Sequence, residues 1–167
     1  MKETLKILNE LEQRGCFRRY AVGGAMAATF YVEPVLTYDL DVFVLLADNG
    51  RLDVLAPIYT VLHEMGFEPQ GECIEIRGTP VQFLPVYNDL LEEAVAEAVE
   101  TDYDGVPTRV LAVEYLLAVC VQTGRTKDRD RVRLILEQAD VDHEALRKIL
   151  LKHGLAEKWD AWNTRNA

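Results

Sequence analysis

The chain has 167 residues, and 49% of them are apolar, enough to bury the core of one domain. With 28% charged residues, 10 glycines and 6 prolines, it reads as neither a disordered tail nor a fibrous protein. A net charge of −10 argues against a protein that coats nucleic acid through a broad basic surface.

Leu5, Leu8 and Leu11 recur at three-residue spacing, which predicts an amphipathic helix over Thr4 to Gln13, closed by Gly15. Tyr20-Ala21-Val22 is a short apolar run. It leads through Gly23-Gly24 into the helix formers Ala25 to Phe30, so the two glycines sit at a strand-to-helix turn. Glu33-Pro34 stops that helix. Leu40 to Leu46 is apolar and β-branched around one acid, the pattern of a mostly buried strand. Arg51 to Met65 carries apolar residues at helical spacing, and Gly66 ends it.

Cys73 to Arg77 and Pro80 to Leu84 flank Gly78-Thr79, which predicts a hairpin with those two residues as its loop. Asn88-Asp89 caps a helix that begins at Leu90. Val99 to Tyr103 and Val106 to Val110 flank Asp104-Gly105 as a second small hairpin. Helical segments follow at about 112–122, 128–138, 142–152 and 155–163. The fold class is α+β, with an α/β core over residues 1–111 and a helical extension over 112–167 forming one compact unit.

No apolar stretch approaches the roughly 20 residues that span a bilayer, and Met1-Lys2-Glu3-Thr4 opens a mixed helix rather than a signal peptide. Cys16, Cys73 and Cys120 are widely spaced and odd in number, against a disulfide framework or a zinc site. A cytoplasmic location with reduced thiols is the expectation. Charge is uneven: residues 1–104 carry 7 basic and 19 acidic side chains, residues 105–167 carry 11 and 9. Five of the basic residues lie between Gly124 and Arg133, either a wall of a polar cleft or a solvated helix face.

Asp39-Leu40-Asp41 carries the clearest chemistry. Strand alternation turns Asp39 and Asp41 to one face, a hard oxygen pair suited to Mg²⁺, which relieves their mutual repulsion. Gly23-Gly24 presents backbone N–H groups at a helix start, where a phosphate is welcome. Together these are equipment for metal-assisted nucleotidyl transfer.

The run Val22-Gly23-Gly24, then Asp39-Leu40-Asp41-Val42, resembles the nucleotidyltransferase superfamily of the DNA polymerase β type, in particular its small bacterial members, including the toxin branch of toxin–antitoxin nucleotidyltransferases. Gly124-Arg125-Thr126-Lys127-Asp128-Arg129-Asp130 is similar to the basic-Lys-Asp-x-x-Asp stretch of their helical tails. The resemblance implies a mixed β-sheet flanked by helices. It also implies Mg²⁺ as cofactor on Asp39 and Asp41, a nucleoside triphosphate bound by Gly23, Gly24 and Lys127, and transfer of NMP to an acceptor hydroxyl. That acceptor is a small molecule, a protein or an RNA end, an RNA meeting the Arg125–Arg133 segment.

Two features depart from the pattern. The stretch from Gly24 to Asp39 is longer than usual, and the third carboxylate position, within Val81-Gln82-Phe83, holds an uncharged amide. With Gly78-Thr79 as loop, Glu75 pairs with Gln82 and is the candidate to supply the missing charge. The alternative is a nucleotidyltransferase-like binding or regulatory module without turnover, for which Gln82 is the motive. His63, His143 and His153 lack metal-ligand spacing, and Trp159 and Trp162 are expected to be docking contacts.

Overall fold

A computed structural model describes residues 1–33, 37–47 and 53–164. The predicted stop at Pro34 and the start of the helix at Arg51 lie outside the described residues. The helices are α1 (Lys2–Gln13), α2 (Gly24–Ala28), α3 (Ala56–Glu64), α4 (Asp89–Ala96), α5 (Val113–Thr123), α6 (Thr126–Gln138), α7 (His143–Lys152) and α8 (Ala156–Thr164). The strands are β1 (Arg19–Val22), β2 (Leu40–Leu45), β3 (Pro69–Gln70), β4 (Cys73–Ile76), β5 (Thr79–Pro85), β6 (Val99–Tyr103) and β7 (Val106–Val110). They form one mixed sheet in the order β3-β4-β5-β2-β1-β7-β6.

The centre of the sheet is apolar because it is covered. Leu40, Val42 and Val44 on β2 and Tyr20, Ala21 and Val22 on β1 are all buried. β2 runs antiparallel to β1 and parallel to β5. α2 and α4 pack on β2, and α5 packs on α2, α4, α6 and α7. The helical tail thus rests on α2 and α4 through α5, whose buried Leu116, Leu117 and Val121 join the core. Trp162 of α8 is buried, and the Arg129 guanidinium stacks over its ring at 4.9 Å, as a docking contact should.

The first hairpin differs from expectation by one residue. Its loop is Arg77-Gly78, and Ile76 pairs with Thr79, Glu75 with Pro80 and Ile74 with Val81. Arg77 and Gly78 both adopt positive φ, 52° and 83°. A two-residue loop of this kind needs left-handed backbone at both positions, which a β-branched Thr79 resists. Asp104-Gly105 solves the second hairpin the same way, with φ of 52° and 81°. Its strands match the expected ones.

Candidate active site

β1 ends at Val22, and the chain turns through Gly23 into α2. The Gly23 N–H donates to the Asp41 carbonyl at 2.9 Å, which locks the turn to β2. A β-carbon at Gly23 would lie 2.3 Å from the Phe43 ring. One at Gly24 would lie 1.9 Å from Asp41 Oδ2, and Gly24 has a φ of +61°. Both glycines are therefore required by close approach, and the second leaves the space that the Asp41 carboxylate fills.

Asp41 is half-buried on β2, and Asp39 is exposed just before the first residue of that strand. Thr37 Oγ1 donates to Asp39 Oδ1 at 3.2 Å. Burial raises the Asp41 carboxyl above its ordinary range, and the negative charge of Asp39 raises it further. Arg131, Lys127 and Arg125 pull it back down. The acid pair and the basic start of α6 therefore face one another, although they are more than eighty residues apart in sequence.

Gln82 lies directly beside Asp41, paired with it across the parallel β2–β5 ladder. Glu75 does not face Gln82. Its partner is Pro80, one row along and separated from the Asp39 end of β2 by the whole width of β5, about 10 Å between backbones. The shift of the turn moves its partner from Gln82 to Pro80, while the width of β5 lies between Glu75 and β2 in either register. Cys73 is the thiol that feels both acids: burial first, then Asp39 and Asp41, push it up and keep it protonated. Among the described residues, no group of three or more His, Cys, Asp or Glu is placed to hold a metal ion.

Next to Asp41 a cavity of about 450 Å³ opens between the sheet and helices α4, α5 and α6. Phe43, Leu84, Leu116 and Val119 give it an apolar wall. Asp41, Gln82, Arg125 and Arg131 gather as its polar lining. Asp128 fixes the two arginines. Its side chain is 1% exposed; it accepts from Arg125 Nε at 2.8 Å and from an Arg131 terminal nitrogen at 3.2 Å. Its Oδ2 also accepts from the Arg125 backbone N–H, closing the first turn of α6. Lys127, by contrast, is exposed and does not line the cavity; it reaches Asp41 through its charge alone.

Arg131, Asp128 as a clamp and Gln122 escaped the sequence reading. Arg125, Asp128 and Arg131 stand at three-residue spacing across the first turns of α6, the signal that a carboxylate there serves two arginines on one helix face.

No family model matches the sequence, and no curated protein does. Solved structures do match by shape. The antibiotic-resistance factor ANT(2'')-Ia, in its solution structure, aligns with a TM-score of 0.53 at 17% identity, over 99% of this chain and 96% of that one. An antigenic nucleotidyltransferase-like protein from Paracoccidioides brasiliensis aligns with a TM-score of 0.52 at 16% identity, over 81% of this chain and 74% of that one. The fold is that of the nucleotidyltransferases. Within this nucleotidyltransferase-like fold, the two glycines follow β1 and the two acids stand at the start of its neighbour β2, with Gly24 and Asp41 lining the cavity. No helix among the described residues is long and apolar enough to cross a membrane.

Proposed function

We propose that the protein is a Mg²⁺-dependent nucleotidyltransferase. The observation that carries this reading is the contact of Asp41 with Gly24 at the mouth of a cavity that also holds two fixed arginines. A half-buried carboxylate raised by burial and by a second acid is a site that a divalent cation relieves. Asp39, Asp41 and the amide oxygen of Gln82 are the hard donors present. This suits Mg²⁺, which takes one or two carboxylates and completes its shell from water and substrate phosphates. When bound, the ion neutralises charge on the phosphates and stabilises the leaving pyrophosphate.

The chain's own residues do the rest. Arg125 and Arg131, held by Asp128, take the triphosphate oxygens, and Lys127 adds positive charge. Gly23 and Gly24 serve the nucleotide by making room for Phe43 and for the Asp41 carboxylate that would hold the ion. The acceptor hydroxyl oxygen attacks the α-phosphorus, the bond to the bridging oxygen breaks, and pyrophosphate leaves. Gln82 cannot take the hydroxyl proton. The hydroxyl proton passes to solvent water, since Asp39 and Asp41 would be taken by the ion. The acceptor is a small molecule, a protein side chain or an RNA end. Glu75, on β4 beyond β5, stays the candidate for the missing charge, now level with the Asp39 end of β2 rather than with Asp41.

Incubation with α-³²P-labelled nucleoside triphosphates and Mg²⁺, with pyrophosphate release followed, tests the reading. Pyrophosphate release and labelled product are expected, and both are lost in Asp41→Asn.

A second reading follows from Gln82 opposite Asp41: a nucleotide-binding module without turnover. A Gln82→Asp variant separates the two. If it gains Mg²⁺-dependent transfer where the natural protein has none, the site is a binding module. If it loses an existing activity, Gln82 belongs to a working site.

A further inference from the structure

The orientation of one amide in the cavity is fixed from outside it. Asn88 is the residue before α4, and its Oδ1 accepts the Leu91 N–H at 2.9 Å. A backbone N–H can only donate, so that atom must be the oxygen, and Asn88 Nδ2 is left as a donor. It donates to Gln122 Oε1 at 3.1 Å. The Gln122 oxygen is thereby used, and its NH₂ faces elsewhere. Gln122 lines the cavity, and Asn88 does not. Among the described residues the Gln122 NH₂ has no protein partner; it is not sealed off, and it belongs to a residue of the cavity wall. The backbone beneath it is also held: Lys158 Nζ donates to the Gln122 carbonyl at 3.1 Å.

A fixed NH₂ offers donors and no acceptor. Opposite it, a ring carbonyl is satisfied, whereas an exocyclic amine at the same place sets donor against donor, and adenine must turn to offer a ring nitrogen instead. The apolar wall of Phe43, Leu84, Leu116 and Val119 suits a flat ring, and Arg125 and Arg131 suit its phosphates.

We propose that Gln122 reads a carbonyl on the base of the bound nucleotide, so that the site takes keto-bearing bases, uracil or guanine, in preference to adenine. The proposal rests on the nucleotide reading given above, and it adds a specificity-determining residue together with the device that orients it.

Isothermal calorimetry of the full chain with Mg²⁺ and UTP, GTP or ATP tests it. UTP or GTP should bind about tenfold more tightly than ATP, the difference that one hydrogen bond makes. Gln122→Met keeps the volume and removes the donor, and it should level the three affinities. Asn88→Asp keeps the helix cap but replaces the donor by an acceptor. It should turn the Gln122 amide over, present Oε1 to the cavity and shift the preference toward ATP. The unfolding midpoint of each variant, close to that of the natural protein, shows that the fold survives. Equal Mg²⁺-dependent affinities in the natural protein, or a preference that Gln122→Met leaves intact, overturn this inference alone. If no nucleotide binds, the nucleotide reading and this inference both fall.

Discussion

The Asp41 carboxylate occupies the place where a side chain at Gly24 would begin: Oδ2 lies 1.9 Å from that point. The glycine is thus part of the acid's position. Gly24→Ala must either displace Asp41 or shift the start of α2, and it also puts a side chain at positive φ, a cost of about 1–2 kcal/mol. The variant should fold with a lowered unfolding midpoint and lose Mg²⁺-dependent nucleotide binding. Calorimetry and thermal unfolding read the two effects separately, and unimpaired binding in a folded variant would falsify this account of the glycine.

Asp41 is maintained at a cost to stability. Burial and Asp39 both oppose its charge. Asp41→Asn removes that charge at nearly the same shape, so it should raise the unfolding midpoint at neutral pH by about 2–4 °C, equivalent to ~1 kcal/mol. The same change should abolish Mg²⁺-dependent binding. A lowered midpoint would show that the carboxylate is a structural group.

Asp128 holds Arg125 and Arg131, and Arg125 in turn is kept firmly charged by its hydrogen bond with that carboxylate. Asp128→Asn keeps the volume and loses the charge. It should cost about 1–3 kcal/mol and weaken triphosphate binding more than nucleoside binding. Denaturant unfolding gives the first quantity, and calorimetry with a nucleoside and its triphosphate gives the second. Equal losses for the two ligands would mean that the arginines do not touch phosphate.

Outside the cavity lining, Glu93 ties α4 to the end of α7. It pairs with Lys152, and it meets His153 Nε2 at 2.9 Å, with the Tyr115 hydroxyl at 3.5 Å. The hydrogen bond from Lys152 first, then that from His153, hold its carboxyl below the ordinary 4.5. A lowered carboxyl stabilises the fold at pH above its unfolded value, and that contribution disappears as pH falls through the folded value. Glu93→Gln should therefore be less stable than the natural protein at neutral pH, with the gap closing as the solution is acidified below about 4.5. Melting curves across that range check the sign; a gap that widens in acid contradicts it.

The elements themselves were legible in the sequence where period and punctuation agreed. The strand at Leu40, the Asn88 cap, the hairpin around Asp104-Gly105 and the four tail helices fall within a few residues of expectation. The register of the first hairpin was not, because Gly78 is flanked by two residues that each make an acceptable loop partner. Only the need for positive φ at both loop positions favours Arg77 over Thr79. That single residue moved the partner of Glu75 from Gln82 to Pro80. The acids and glycines were visible as motifs, yet the cavity was not, since it forms between segments that meet only when α5 and α6 fold back over the sheet. The orientation of Gln122 depends on a cap 34 residues away and left no local trace.

The most direct measurement is calorimetric titration of nucleoside triphosphates into the full chain, with and without Mg²⁺, beside an Asp39→Asn/Asp41→Asn double variant. The account predicts binding that requires Mg²⁺ and is lost in the double variant while its fold persists. With the nucleotide at 100 times its dissociation constant, the protein should also gain about 2.7 kcal/mol in stability, a check on the same sample. Binding that ignores Mg²⁺ and survives in the double variant would contradict the assignment of Asp39 and Asp41, and no binding of any nucleotide would contradict the proposed function itself.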